Sequence, residues 1–341
     1  MQLIFHIGAG KTGTSSIQKT LGNNHQELKK QGIHYLGLML ENAFTQKYPW
    51  QKASASEVFH SLTKEETYQQ ASEILFDTLD QANNHNIHTL IWSNESFFGR
   101  HIKLQDLLIA LQAKGIELKI VTYVRRHDSW IRSAYVQWGI SHKTYNGTIK
   151  PFQEWSKTHK ANFYSSLSIL NKVFRNQLII RNMDTVGDVV SDFLKICNIS
   201  NNHIKVIRSN ESPNNEELLL RAMFNNRFED KVLPVRFDRI LFDKKLKDIS
   251  SELQTPHQVL KSLLPSKEDI QNIRDESSID REMLNILLKE QNQEFISENS
   301  ISHKNTDINI DKLLMLLSEI VISQALRINR LEKIVENSNK I

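Results

Sequence analysis

A short apolar strand that breaks into a glycine turn and at once opens a helix restricts this chain more than any other feature. Leu3, Ile4, Phe5 and Ile7 form the apolar run, and Gly8, Gly10 and Gly13 the turn. Ile17 and Leu21, four apart, begin a helical face. Between turn and helix stand Lys11 and four hydroxyl residues, Thr12, Thr14, Ser15 and Ser16. Such a turn presents backbone N–H groups and the positive end of a helix dipole to whatever lies in front of it. Lys11 adds a full charge, and the hydroxyls add donors. A strand end so equipped has no packing rationale, and the stretch reads as a cradle for phosphate or sulfate.

Gly10-Lys11-Thr12 copies the end of a Walker A loop, which points first to a nucleoside triphosphatase. That motif requires Gly-x-x-x-x-Gly-Lys-Ser/Thr, and Phe5 stands where its first glycine belongs. No later strand ends in the acidic residue expected to hold magnesium. Both departures count against a triphosphatase.

Further apolar segments at 88–93, 116–124 and 177–181 predict strands. Helices are predicted over 15–31 and over 127–140. Another should follow Thr63-Lys-Glu-Glu66, which has capping-box spacing. Leu104, Leu107, Leu108 and Leu111 mark one more, stopped by Gly115. Leu167, Leu170, Val173 and Phe174 mark the next, and Val186, Val190, Phe193 and Leu194 the one after. Strands alternating with helices indicate βαβ units and a parallel sheet. Ligands on such sheets sit outside the carboxyl ends of the strands. Lys11, Glu95 and Arg125 each fall just past a predicted strand end, and that shared placement points to one active site.

Strand signals fade from Ser212-Pro213 onward. Ser212-Pro213 and Thr255-Pro256 predict helix starts, a capping side chain followed by proline in the first turn. The expected organisation is an α/β core over 1–215, a helical extension packed on it over 216–290, a polar linker at 291–309 and an amphipathic helix within 310–341. In that last helix Ile310, Leu314, Leu317, Val321, Gln324, Ile328, Leu331 and Val335 alternate four and three apart, the spacing of a coiled-coil seam. Leu313, Leu316 and Ile320 broaden the apolar stripe of its first half. The first half is therefore expected to dock on the protein's own body, and the second half to pair with another chain in a homo-oligomer.

A net charge of +4 suits an anionic ligand but is too small to imply nucleic acid. The single cysteine, Cys197, rules out an internal disulfide framework. No apolar run approaches the roughly twenty residues of a membrane span. The apolar N-terminal residues are taken up by the site's first strand, which argues against a signal peptide. The expected location is cytoplasmic.

Arg125 and Ser133 lie eight apart across a strand end and the first turns of a helix. There the guanidinium could grip a phosphate with two parallel hydrogen bonds. Taken alone, the pair reads equally well as a surface charge and an ordinary helix residue. Lys11-Thr12-Gly13-Thr14-Ser15 together with Tyr123-Val-Arg125 through Ser133-Ala-Tyr135 resembles the PAPS-dependent sulfotransferase family, in its bacterial sulfotransferase-domain form, up to about residue 215.

The resemblance implies a P-loop-like parallel sheet flanked by helices, with a helical C-terminal extension. It implies 3′-phosphoadenosine 5′-phosphosulfate (PAPS) as sulfuryl donor, with its 5′ end on Lys11, Thr12, Gly13, Thr14, Ser15 and Ser16. Arg125 and Ser133 would bind the 3′-phosphate. Glu95 would be the acceptor base, with His6 and His127 as rivals, and Lys11 would stabilise the bridging oxygen; no metal is needed. Glu95 also reads as an acid favoured by a helix N-terminus. The acceptor would be a hydroxyl of a carbohydrate or glycolipid. Ser16 replaces an aromatic that stacks near adenine in cytosolic members. Their Arg-Lys-Gly segment is absent, and Arg208-Ser-Asn210-Glu-Ser212 stands as its substitute. In segment 137–164, Trp138, His142, Lys143, Tyr145, Phe152 and Trp155 either line an acceptor cleft or fill an ordinary core. Two rival functions remain, a P-loop kinase with a degenerate loop and a non-catalytic nucleotide-binding scaffold.

Overall fold

Five short segments rich in Ile, Leu, Val and Thr pair into one sheet in which every strand runs parallel. They are β1 Gln2–His6, β2 Ile33–Tyr35, β3 Thr89–Ser93, β4 Glu117–Val124 and β5 Leu178–Asn182, in the order β2-β3-β1-β4-β5. The structure is a computed structural model and describes residues 1–208, 213–240, 256–297 and 307–338. The sequence predicts four of these strands to within two residues. The fifth, β2, has only three residues, too few to show a period.

The chain forms two compact units. The first comprises Met1–Trp130, Ala161–Glu211 and Glu276–Glu298, and holds the whole sheet. Side chains alternate across the sheet, so Leu3, Phe5 and Ile7 enter one buried cluster and Ile4 the other. The first cluster takes in residues of helices Lys64–Asn84, Gln105–Ala113, Phe163–Phe174 and Ser278–Glu290. The second takes in residues of Thr14–Asn23, His25–Lys30 and Val189–Ile196. Each fully buried Leu, Ile, Val or Phe contributes about 1.5–3 kcal/mol. The central strand β1 is therefore gripped from both faces, and its carboxyl end is a firm base for the loop that follows.

Local chemistry explains where elements start and stop. The predicted capping box forms: Thr63 N donates to Glu66 at 2.8 Å, and Glu66 N donates to the Thr63 hydroxyl at 3.1 Å. The single helix predicted over 15–31 is two, Thr14–Asn23 and His25–Lys30. Asn24 divides them, because its side chain pairs with the backbone of Lys205 at 2.8 and 2.9 Å and competes with the helix ladder. The helix predicted over 127–140 is α-helical over His127–Ala134 and continues as a π-helical turn over Tyr135–Ser141.

Residues 291–296, the start of the stretch predicted as a linker, pack along β5. Gln291 accepts from Ile180 N at 2.8 Å and donates to Leu178 O at 2.9 Å. Asn182 donates to the carbonyls of Glu294 and Phe295, and Ile296 is buried. The amide side chain of Gln291 covers the open edge of the sheet as a neighbouring strand would.

The second unit comprises Ile131–Lys160, Ser212–Asp275 and Asn299–Ile341. Its described residues include helices Phe152–Ser156, Asn215–Asn225, Pro234–Ile240, Pro256–Leu263 and Ile310–Ser338. Asn214, two residues after the predicted Ser212, caps helix Asn215–Asn225 by accepting from Glu217 N at 2.9 Å. The proposed caps Ser212 and Thr255, the segment 209–212 and most of the stretch 297–309 lie outside the described residues. Among the described residues no helix is long and apolar enough to cross a membrane.

Candidate active site

The loop after β1 is built from backbone conformations that side chains resist. Gly10 has φ 31°, Lys11 φ 59° and Gly13 φ 86°. A left-handed conformation at a residue with a Cβ costs roughly 1–2 kcal/mol, so Lys11 carries strain of the kind that gathers at binding sites. Two glycines have no substitute. A Cβ on Gly8 would lie 2.2 Å from Thr14 Oγ1, and one on Gly13 would lie 2.4 Å from Val189 Cγ1. Gly13 also stands at the N-cap of helix Thr14–Asn23, so the cap residue offers no side chain to the first-turn amides.

Replacing Gly13 by alanine combines the left-handed cost with a clash against Val189, and should lower stability by about 2–4 kcal/mol. An unchanged melting temperature would mean that the folded loop does not take this path.

Two cations stand at the loop, Lys11 and Arg125, both half-buried. Arg125, just past β4, donates from Nη1 to Lys11 O at 3.0 Å. Burial and the adjacent Arg125 charge press the Lys11 ammonium below its ordinary range. Burial, more than any neighbour, does the same to Arg125. Thr12 and Thr14 are buried, and among the described residues neither hydroxyl has a hydrogen-bond partner; nor does Arg125 Nε. Buried polar atoms in folded proteins are nearly always paired. An anion at the loop would satisfy the hydroxyls and relieve both cations at once.

Ser15 is half-buried and Ser16 buried at the start of the same helix. Trp130 donates from Nε1 to the carbonyls of Ala9 and Gly10, at 3.2 and 3.0 Å, and fixes the first half of the loop from helix His127–Ala134. The sequence reading missed this indole, although it lies inside the Arg125–Ser133 motif.

Glu95 stands two residues past the end of β3. It is half-buried, and its Oε2 accepts from Gln18 Nε2 at 2.7 Å. The same amide reaches Ser93 O at 3.3 Å. A helix residue four after Thr14 thus ties the loop's helix to the carboxylate. Gln18 was also missed, though Thr14 and Gln18 share a helix face by spacing alone.

The two rival bases prove to be core groups. His6 is fully buried with Nδ1 2.7 Å from Ser93 Oγ, and burial pulls its pKa down to about 3. His127 Nε2 pairs with Asp280 at 2.7 Å. Asp280 also accepts from the amides of Phe163 and Tyr164, which makes the pair a brace between helices.

Among the described residues no direct bond joins the other two predicted residues, Ser133 and Arg208, to Lys11, Glu95 or Arg125. Ser133 is half-buried in the last turn of helix His127–Ala134 and belongs to the second unit. Arg208 is largely exposed and pairs with Asp188, the N-cap of helix Val189–Ile196, at 3.1 Å.

Within segment 137–164 the core alternative holds for three of the six residues. Lys143 is buried and donates to the carbonyls of Gly147 and Phe228. Phe152 and Trp155 are buried around Tyr135. These three cannot line an acceptor cleft. Trp138, His142 and Tyr145 are half-buried.

No protein-family model and no curated protein matches this chain.

Proposed function

We propose that the chain is a PAPS-dependent sulfotransferase whose loop Lys11–Ser16 holds the 5′ end of the donor and whose Glu95 serves the acceptor. The observation that carries the reading is the pair of buried hydroxyls, Thr12 and Thr14, without partners among the described residues and beside two half-buried cations whose pKa values burial lowers. A phosphosulfate brings acceptor oxygens and negative charge, and this donor set fits it.

The donor supplies an activated sulfuryl group. The chain's own residues bind it and manage charge, as in phosphoryl transfer. Lys11 neutralises the charge that develops on the bridging oxygen. Thr12, Thr14 and the first-turn amides hold the non-bridging oxygens. Glu95, oriented by Gln18, takes the proton from the acceptor hydroxyl. Arg125 grips the 3′-phosphate, and the resemblance adds Ser133 and Arg208 at that end. A carbohydrate or glycolipid acceptor rests on the resemblance alone.

Favouring this reading over a P-loop kinase is Phe5, which occupies the place of the first Walker glycine and is buried inside β1. Only Ile7 to Gly10 separate the end of β1 from Lys11, too short a stretch for the Walker loop before its lysine.

Nucleotide preference is the test. A ligand that binds the native state raises its stability by mass action, about 2.7 kcal/mol at a hundred times Kd. 3′-Phosphoadenosine 5′-phosphate should raise the melting temperature well above ADP at equal concentration, without magnesium. Equal shifts from the two, or a shift that requires magnesium and ATP, overturn the reading. A large shift without sulfuryl transfer to any hydroxyl would support the scaffold instead.

A further inference from the structure

Helix Ile310–Ser338 carries two apolar faces. One serves its own unit: Leu313 is buried, Leu316 and Ile320 are half-buried, and the helix packs on Asn215–Asn225. The other is the seam spaced four and three. Ile310, Leu314, Leu317, Val321, Ile328, Leu331 and Val335 are all exposed, from 38% at Leu317 to 67% at Ile310. Both faces coexist along the first half of the helix, which docks as the sequence predicts and still leaves the seam open. Scattered exposed apolar residues are ordinary, but a continuous stripe marks an interaction surface.

We infer that the seam pairs with the same seam of a second copy of this chain, as a parallel two-stranded coiled coil. The register sets Leu314, Val321, Ile328 and Val335 at a, and Ile310, Leu317, Gln324 and Leu331 at d. Three of the four a positions are β-branched and two of the four d positions are leucine, the pattern that favours two strands over three or four. The helix has 29 residues, about 43 Å and four heptads, long enough for such a pair.

Two features set the direction. In a parallel pair Gln324 meets Gln324 of the second copy, and the two amides can hydrogen-bond to each other. An antiparallel pair of equal overlap sets Gln324 against Val321 and leaves a polar amide in the seam without a partner, which is costly. In the sequence the register gives g to Arg327 and e to Glu332, the g–e′ positions of a parallel pair, with opposite charges. An antiparallel pair instead matches e with e′, positions that hold two acids in Asp311 and Glu332. Four acids and four bases balance along the helix, unlike the Lys- and Arg-rich face of a helix lying on a membrane.

Light scattering of the full chain at micromolar concentration should give twice the mass of one chain. Ile328→Asp combined with Leu331→Asp should halve that mass and leave the near-UV circular dichroism unchanged, because both side chains are exposed in the single chain. Val335→Cys should oxidise to a linked dimer only when the copies run parallel; the native Cys197 is buried and does not compete. A wild-type monomer, a larger assembly, a dimer that survives the double substitution, or a Val335→Cys dimer that stays unlinked each overturns the inference.

Discussion

Lys11→Ala is expected to lower sulfuryl transfer by about two orders of magnitude or more, the usual effect of removing one charge-stabilising group at a developing anion. The substitution is clean for a structural reason. Arg125 holds the loop through the Lys11 carbonyl, not its side chain, so alanine keeps that 3.0 Å bond. Alanine meets the left-handed φ of 59° at much the same cost as lysine. The loop should therefore keep its path, and the loss should report the missing ammonium. Under the proposed function, slow transfer from labelled PAPS to water would give a rate that does not depend on knowing the acceptor. Lys11→Arg should recover part of the rate, because charge returns with altered geometry. Wild-type turnover by Lys11→Ala would remove the loop from the chemistry.

The parallel sheet was legible because its strands are long apolar runs bounded by turns, and such runs carry their own signal. β2 was not: three residues next to a helix give no period, and pairing with β3 alone makes Ile33–Tyr35 a strand. The break at Asn24 was hidden for a related reason. Its cause is the backbone of Lys205, far along the chain, and no local pattern records that partner. The same holds for Gln291, which looks like a linker residue until β5 offers it an edge.

The placement of the candidate site's residues after the strands was legible in the sequence. Lys11, Glu95 and Arg125 all follow strands of one sheet, and the structure joins Lys11 to Arg125 directly. Hidden were the groups that hold those residues still. Trp130 and Gln18 are recognisable only by what they touch, two loop carbonyls and one carboxylate. The aromatic stretch over 137–164 offered two readings. Burial of Lys143, Phe152 and Trp155 assigns these three to packing, a distinction that composition does not make.

Glu95→Gln is expected to lower turnover by about two to four orders of magnitude, the range for loss of a positioned general base, while the thermal shift from 3′-phosphoadenosine 5′-phosphate stays near wild type. Glutamine keeps the size of the side chain, and its amide oxygen can still accept from Gln18 Nε2, now 2.7 Å from the carboxylate. What it removes is the site for the acceptor's proton. The rivals are poorly placed to take over. His6 is fully buried with a pKa near 3, so it is a weak base at neutral pH, and its Nδ1 is engaged by Ser93. His127 is committed to Asp280. Turnover and nucleotide binding should therefore separate in this variant, whereas a merely structural carboxylate would lose both or neither. Normal turnover by Glu95→Gln with any hydroxyl acceptor would show that the proton leaves by another route.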